Sequence, residues 1–459
     1  MKRQLMNATA GALTLSIALG AGGAANAAAA RALPAPRTAS AGYRLADDKL
    51  AAAQRLRAKG KARTGGKMPA GPRQATPEAD TPQATPGADA REASTETDAG
   101  PGGVRVSGRT QSWAGATFTA AEAGRAAVHV LNAAKVALTG CVIRKNGTGA
   151  AVLAGAPGLV ALNGCAITTD GGAHGVVAAG PGSDIRVANS TIRVKTGSHA
   201  ALASEGGRIV LENVNVVGGG LRGGRLAVHG GTIAADGSAV LQSDGLITAH
   251  GVTGTTLGGR EAAGGQHMAG GQHAARGQHM AGGQHAAVID GAHGIDAIDS
   301  DLTGSAGVLF SGASAGTATY KMAGGSLTAA TGTAFEVRGA TARVSVRGGA
   351  AIAAGDGVLA RVSDGGVLTL MAAGQGLRGD VIADRDSTAS LVLRHGSTLT
   401  GTVINGAVEL DTDSTWYVTG DSTVTRLTGQ ITSIIGNGHT VYATDGTVLV
   451  PQNGNHLSL

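Results

Sequence analysis

Large aromatic side chains are scarce in this sequence. Phe, Tyr and Trp account for 2% of 459 residues, and a layered globular core normally depends on such anchors. Cysteine is scarcer still: Cys141 and Cys165 are too few for a disulfide framework. Beyond the N-terminus no segment holds about 18 consecutive apolar residues, which excludes a spanning helix there. The motifs of common chemistries are missing too, with no phosphate-cradling glycine loop, nucleophile elbow or zinc-protease helix. The basic run has no interleaved aromatics, which argues against a nucleic-acid partner.

Glycine is abundant instead, with 78 residues, and the apolar fraction is still 42%. Small apolar side chains with many glycines suit short strands separated by tight turns. After residue 103 the β-branched residues are too frequent for a disordered chain. The length would serve two or three ordinary domains or one long repetitive one.

The first residues predict export. Lys2 and Arg3 precede the apolar run LMNATAGALTLSIALGAGGA, and Ala25-Asn26-Ala27 offers a small-x-small cleavage site. Residues 1–27 are therefore expected to be a signal peptide. Residues 28–102, with stretches such as QATPEADTPQATPGADA, show little apolar periodicity and predict a disordered spacer. The formal charge of +6 is largely local to it: Arg55, Arg57, Lys59, Lys61 and Arg63 cluster there, before acidic residues from Glu78 to Asp98. Such a run reads as a solvated tail.

From Val104 internal repeats set in. VALTGCVI from Val136, VALNGCAI from Val160, IRVANSTI from Ile185 and IVLENVNV from Ile209 stand 24, 25 and 24 residues apart. LAVHGGTI from Leu226 and ITAHGVT from Ile247 are shorter echoes. Later, Tyr320, Val344 and Leu368 are spaced by 24. Each unit alternates along the chain and ends in a Gly or Asn-Gly turn, the pattern of a strand. One unit cannot bury its apolar face alone, whereas stacked coils bury a continuous core. A period near 24 fits one coil of a parallel β-helix with about three short strands. A sandwich gives no reason for it. The expected fold is therefore all-β, a parallel β-helix (solenoid) over 103–459 behind a disordered N-terminal segment. Tyr320, Val344 and Leu368 are expected in vertical line, around an interior with little space for aromatics. Cys141 and Cys165 occupy equivalent places in adjacent coils, where parallel side-chain vectors disfavour a bond. Both are expected as buried free thiols.

At this level of detail the chain resembles the pertactin-like autotransporter passengers. GGVRVSGRTQ (Gly102 to Gln111) resembles the start of their β-helix. GVLFSGASAGTATYKMAGGSLTA and VLTLMAAGQGLRGDVIAD resemble middle and late coils, and VELDTDSTWYVTGDSTVTRLTG resembles the C-terminal coils. The resemblance implies a right-handed parallel β-helix, displayed at the cell surface, with adhesive or immune-exposed loops and no enzymatic centre. It also implies an outer-membrane barrel of about 300 residues, built from short amphipathic strands. No such train follows before Leu459. A separately encoded outer-membrane translocator, or a truncated relic of an autotransporter, is the expectation that follows. The product is expected in the periplasm, on the surface or secreted, as a monomer without a cofactor. Its partner is expected to be a host-cell receptor, an integrin or a glycan.

Three stretches invite chemistry. GGQHMAGGQHAARGQHMAGGQHAA places His267, His273, His279 and His285 six residues apart. That spacing does not converge imidazoles on one ion without turns, so a protruding repeat loop over 257–287 is the main reading and weak metal binding the other. Arg378-Gly379-Asp380 is an integrin-recognition tripeptide, or a coil step that coincides with one. DGAHGIDAIDSDLTG collects Asp290, His293, Asp296, Asp299 and Asp301, which suggests a polysaccharide lyase or hydrolase if the carboxylates meet. GAHG recurs at Gly172 to Gly175 without them, as a turn motif would.

Overall fold

The computed structural model describes residues 103–195, 198–257, 285–312 and 316–452. Residues 1–102, the expected signal peptide and spacer, lie outside them. The described residues form a parallel β-solenoid.

Alternation sets the strands. Lys135–Thr139 (KVALT) and Leu159–Asn163 (LVALN) both bury their second and fourth residues and expose the others. Successive side chains point to opposite sides of a strand, so Val136 and Leu138 enter the interior while Lys135, Ala137 and Thr139 face solvent. Three such strands make a coil. Val128–Leu131, Lys135–Thr139 and Val142–Lys145 lie on the first, second and third faces. Each pairs in parallel with its counterpart one coil on.

The second face shows the stacking best. Val136 pairs with Val160, Val160 with Ile185, Ile185 with Ile209, Ile209 with Leu226 and Leu226 with Ile247. Ile247 pairs with Ile295, Ile295 with Tyr320 and Tyr320 with Val344. The next partner of Val344 is Leu370; Leu368 pairs with Ala342. The expected vertical line through Leu368 is therefore displaced by two residues. Leu368 and Leu370 are both fully buried, because a two-residue shift preserves the face of a strand.

The turn from second to third face needs a left-handed residue. Gly140, Gly164, Asn189, Asn213, Gly230, Gly251 and Asp299 fill it in successive coils, with φ between 46° and 65°. Gly, Asn and Asp are the residues that enter this region at least cost. The residue that follows is buried as Cys141, Cys165, Ser190, Val214, Val252 and Ser300, and half-buried as Gly231 in the short coil. Coil length is not constant. Ile209 and Leu226 are 17 residues apart, since Gly218, Gly219 and Gly220 cut the corner. A Cβ on Gly220 would lie 1.8 Å from the Ala239 carbonyl oxygen.

The interior admits more aromatics than expected. Phe118, Phe310, Phe335, Tyr320 and Trp416 are all buried, and Trp113 nearly so. Trp113 and Phe118 meet edge to face, 5.4 Å between centroids. These six aromatics are thus core anchors, spread along the coils, whereas Tyr417 is exposed. At the C-terminal end Val441–Ala443 pairs antiparallel with Val448–Val450, the one antiparallel pair among the described strands.

Candidate functional site

A groove of about 380 Å³ lies on the outer side of the second face. Its floor is the outward column Ser112, Ala137, Ala161, with Leu159 beside it. Small side chains at consecutive levels leave the hollow. Lys135 and Arg186 stand at its rim. Asp184 is the carboxylate among the lining residues, and Arg186 and Arg208 lie 3.9 and 3.8 Å from it. A glycosidase needs two carboxylates about 5–10 Å apart, and this groove supplies one, already facing two guanidinium groups.

The acidic stretch after the insertion is dispersed by the coil. Asp290 ends a strand of the first face and accepts a hydrogen bond from Ser311 Oγ at 3.2 Å. Asp296 points outward from the second face, 3.3 Å from Lys321 Nζ. Asp299 holds the left-handed turn. Asp301 begins the third-face strand and accepts a bond from Ser326 Oγ at 2.6 Å. His293 sits in the turn before the second face, its N–H donated to Gly291 O. Five residues close in sequence are thus distributed around the perimeter. Among the described residues no group of three or more His, Cys, Asp or Glu is placed to hold a metal ion.

Arg378-Gly379-Asp380 forms a corner of a coil. Arg378 ends the strand Gly376–Arg378 and is exposed. Gly379 has φ +120°, and a Cβ there would lie 2.8 Å from Gly357 O. Asp380 opens the strand Asp380–Ala383 and accepts the Thr402 N–H at 2.8 Å. The carboxylate is held against the next coil, while the guanidinium faces solvent.

His267, His273 and His279 lie outside the described residues. His285 does not belong to a loop: it opens the strand His285–Asp290, is buried and pairs with Ala306. Strand Thr253–Leu257 occupies the other boundary. The expected loop limits of 257 and 287 both fall inside strands. The reason is that HAAVID alternates as a strand, although its first residue continues the tandem repeat. Burial lowers the pKa of His285, opposed by the charge of Glu336.

Several buried groups escaped the sequence reading. His174 and His199 stack at 5.4 Å with planes 10° apart, and His174 Nδ1 accepts the His199 N–H at 3.1 Å. Burial, with His174 and Arg222 nearby, pulls His199 down to about 4. Lys145 is fully buried, and its Nζ donates to the carbonyl oxygens of Glu122, at 2.9 Å, and Asn146. Burial lowers its pKa, against the charge of Glu122. The sequence signal for Lys145 was available: it takes the inward place of Ala120 and Thr169 in its column. Cys141 and Cys165, by contrast, are free and buried as their repeat positions lead one to expect, and burial raises the Cys165 thiol.

No protein-family model matches this chain, and no curated protein matches it either.

Proposed function

We propose that this chain is an exported, non-enzymatic display module of the autotransporter-passenger type, a monomeric adhesin that presents loops from a β-helix. The reading rests chiefly on one observation. Register is continuous across the insertion: Thr248 pairs with Asp296 and Leu241 with Ala287, although residues 258–284 intervene. A solenoid that takes an insertion without losing its ladder is suited to carrying variable surface segments. The dispersal of Asp290, Asp296, Asp299 and Asp301 around the coil also favours display over hydrolysis. The partner in this reading is a host-cell receptor, an integrin or a glycan, and passage across the outer membrane needs a translocator.

Fractionation of cells expressing the intact gene, with an antibody to residues 103–452, tests the proposal. Surface or released antigen supports it; antigen confined to the soluble periplasm contradicts it. Adhesion of the purified chain to cultured cells separates the receptors. Loss on Asp380→Glu assigns an integrin, and loss on glycosidase treatment of the cells assigns a glycan.

A carbohydrate-active enzyme is the second reading, favoured by the groove over Ala137 and Ala161. Release of reducing ends or unsaturated products from a panel of acidic and neutral polysaccharides would establish it in place of the first.

A further inference from the structure

The groove on the second face has a floor of small side chains and a positively charged rim. Ser112, Ala137, Ala161 and Arg186 are register partners in succession. Three levels therefore carry nothing larger than a hydroxymethyl group, and the fourth carries a guanidinium. Adjacent strands lie about 4.8 Å apart, so the trough runs about 14 Å along the coil axis before Arg186 closes it. Leu159 borders the floor and is one of the large apolar side chains left exposed.

Two features restrict what fills it. The strands Lys135–Thr139 and Leu159–Asn163 each pair with a neighbour on both sides, so the backbone groups of the floor are committed to the ladder. A ligand rich in hydroxyls would bury them against the methyl groups of Ala137 and Ala161 without partners, which is costly. The second feature is charge. Asp184 is the carboxylate of the lining, and Arg186 and Arg208 share it at 3.9 and 3.8 Å. Lys135 lines the groove and makes no ion pair among the described residues. The rim therefore carries surplus positive charge, complementary to an anion.

We propose that this groove binds a medium-chain fatty acid, with its carboxylate at Lys135 and its alkyl chain over Ala137 and Ala161. A linear chain matches a trough that follows a column of small residues. The volume of about 380 Å³ holds about a dozen heavy atoms, at the roughly 30 Å³ that one water molecule occupies in the liquid. Decanoate is of that size. Burial of the chain supplies most of the affinity, and Lys135 sets the preference for a negative head group. Binding here is independent of the display function and needs no catalytic group.

Calorimetric titration of the full chain with sodium decanoate, below its micelle concentration, is expected to show about one ligand per chain. Octanoate is expected to bind about tenfold more weakly, for the loss of two buried methylenes. Decanol is expected to bind about threefold to fivefold more weakly than decanoate, the worth of one exposed ion pair. Lys135→Gln is expected to bring decanoate down to the decanol level and leave decanol unchanged, and Lys135→Arg to keep the preference. Ala161→Leu, which fills the floor, is expected to weaken both ligands about tenfold. Lys135 and Ala161 are exposed, and circular dichroism checks that the variants keep the β-helix. Absence of decanoate binding, or binding unchanged by Ala161→Leu, overturns the proposal. Decanoate binding unchanged by Lys135→Gln overturns it too, because the head group is then unanchored. Binding of oligogalacturonate in place of decanoate gives the groove to an acidic glycan. A dimer broken by Ala161→Leu, without decanoate binding, gives it to a second copy of the chain. Either of these results also overturns the proposal.

Discussion

The backbone N–H of Cys165 donates to Ser190 Oγ, 2.9 Å away on the next coil. Ser190 in turn donates to the Ala188 carbonyl at 2.6 Å. The same device joins Val252 to Ser300 and Gln375 to Ser397. Each hydroxyl satisfies a backbone group at a corner where the strand ladder is interrupted. Ser190→Ala leaves the buried Cys165 N–H without its partner and is expected to cost about 1–3 kcal/mol. Urea denaturation measures this. A change within about 0.5 kcal/mol, the range of neutral surface substitutions, would show the corner hydroxyls to be incidental.

The two thiols are expected to be silent in the folded chain. Cys141 Sγ lies 3.6 Å from Trp113 O and Cys165 Sγ 3.4 Å from Leu138 O, both in the core. The thiolate is the reactive form; burial opposes it at Cys165, and the core encloses both sulfurs. Maleimide labelling should be negligible in native buffer and reach both cysteines in denaturant. Rapid native labelling, or no thiols after unfolding, contradicts the packing.

His199 makes stability fall with acid. Its folded pKa is about 4 against 6.5 unperturbed, chiefly through burial, with His174 and Arg222 adding to the effect and Asp244 opposing it. The unfolded chain therefore takes up this proton before the folded chain does. The stabilisation is fully present above pH 6.5 and is lost as pH falls from about 6.5 towards 4, with a slope of at most about 1.4 kcal/mol per pH unit. His199→Gln is expected to flatten that part of the curve, measured by urea unfolding at several pH values. An unchanged slope would place the acid sensitivity elsewhere.

Trp416 anchors the late coils. It is fully buried between its register partners Leu399 and Ile434, and its Nε1 donates to Gly401 O at 2.9 Å. Trp416→Ala is expected to cost about 3–5 kcal/mol. Trp416→Phe keeps most of the volume but leaves the carbonyl without this bond, and should cost less. Equal losses would mean that the hydrogen bond outweighs the packing.

Much of the fold was legible because strand alternation and turn glycines are local. Val136, Val160, Ile185, Ile209, Leu226 and Ile247 stack as the repeats suggest. Leu368 misled because Leu370 has the same parity, so a longer coil looks identical to a 24-residue one until the partner is seen. His285 misled because repeat identity and strand identity overlap in one residue. The register of His229 with His250 was visible in the echoes LAVHGG and ITAHGV, whereas the pairing of His250 with Ile298 was hidden by the insertion. Lys145 was overlooked because a buried ammonium needs carbonyl oxygens, and one of its two comes from a turn 23 residues earlier.

The stacking of coils across the insertion is tested most directly by spin labels at Thr248 and Asp296, with Cys141 and Cys165 replaced by Ala. Strong dipolar broadening in the continuous-wave spectrum is expected for this pair, because neighbouring parallel strands lie about 4.8 Å apart. A second pair at Thr248 and Ser345, three levels apart by register, should broaden weakly. Absence of broadening between Thr248 and Asp296 would contradict a single continuous β-helix.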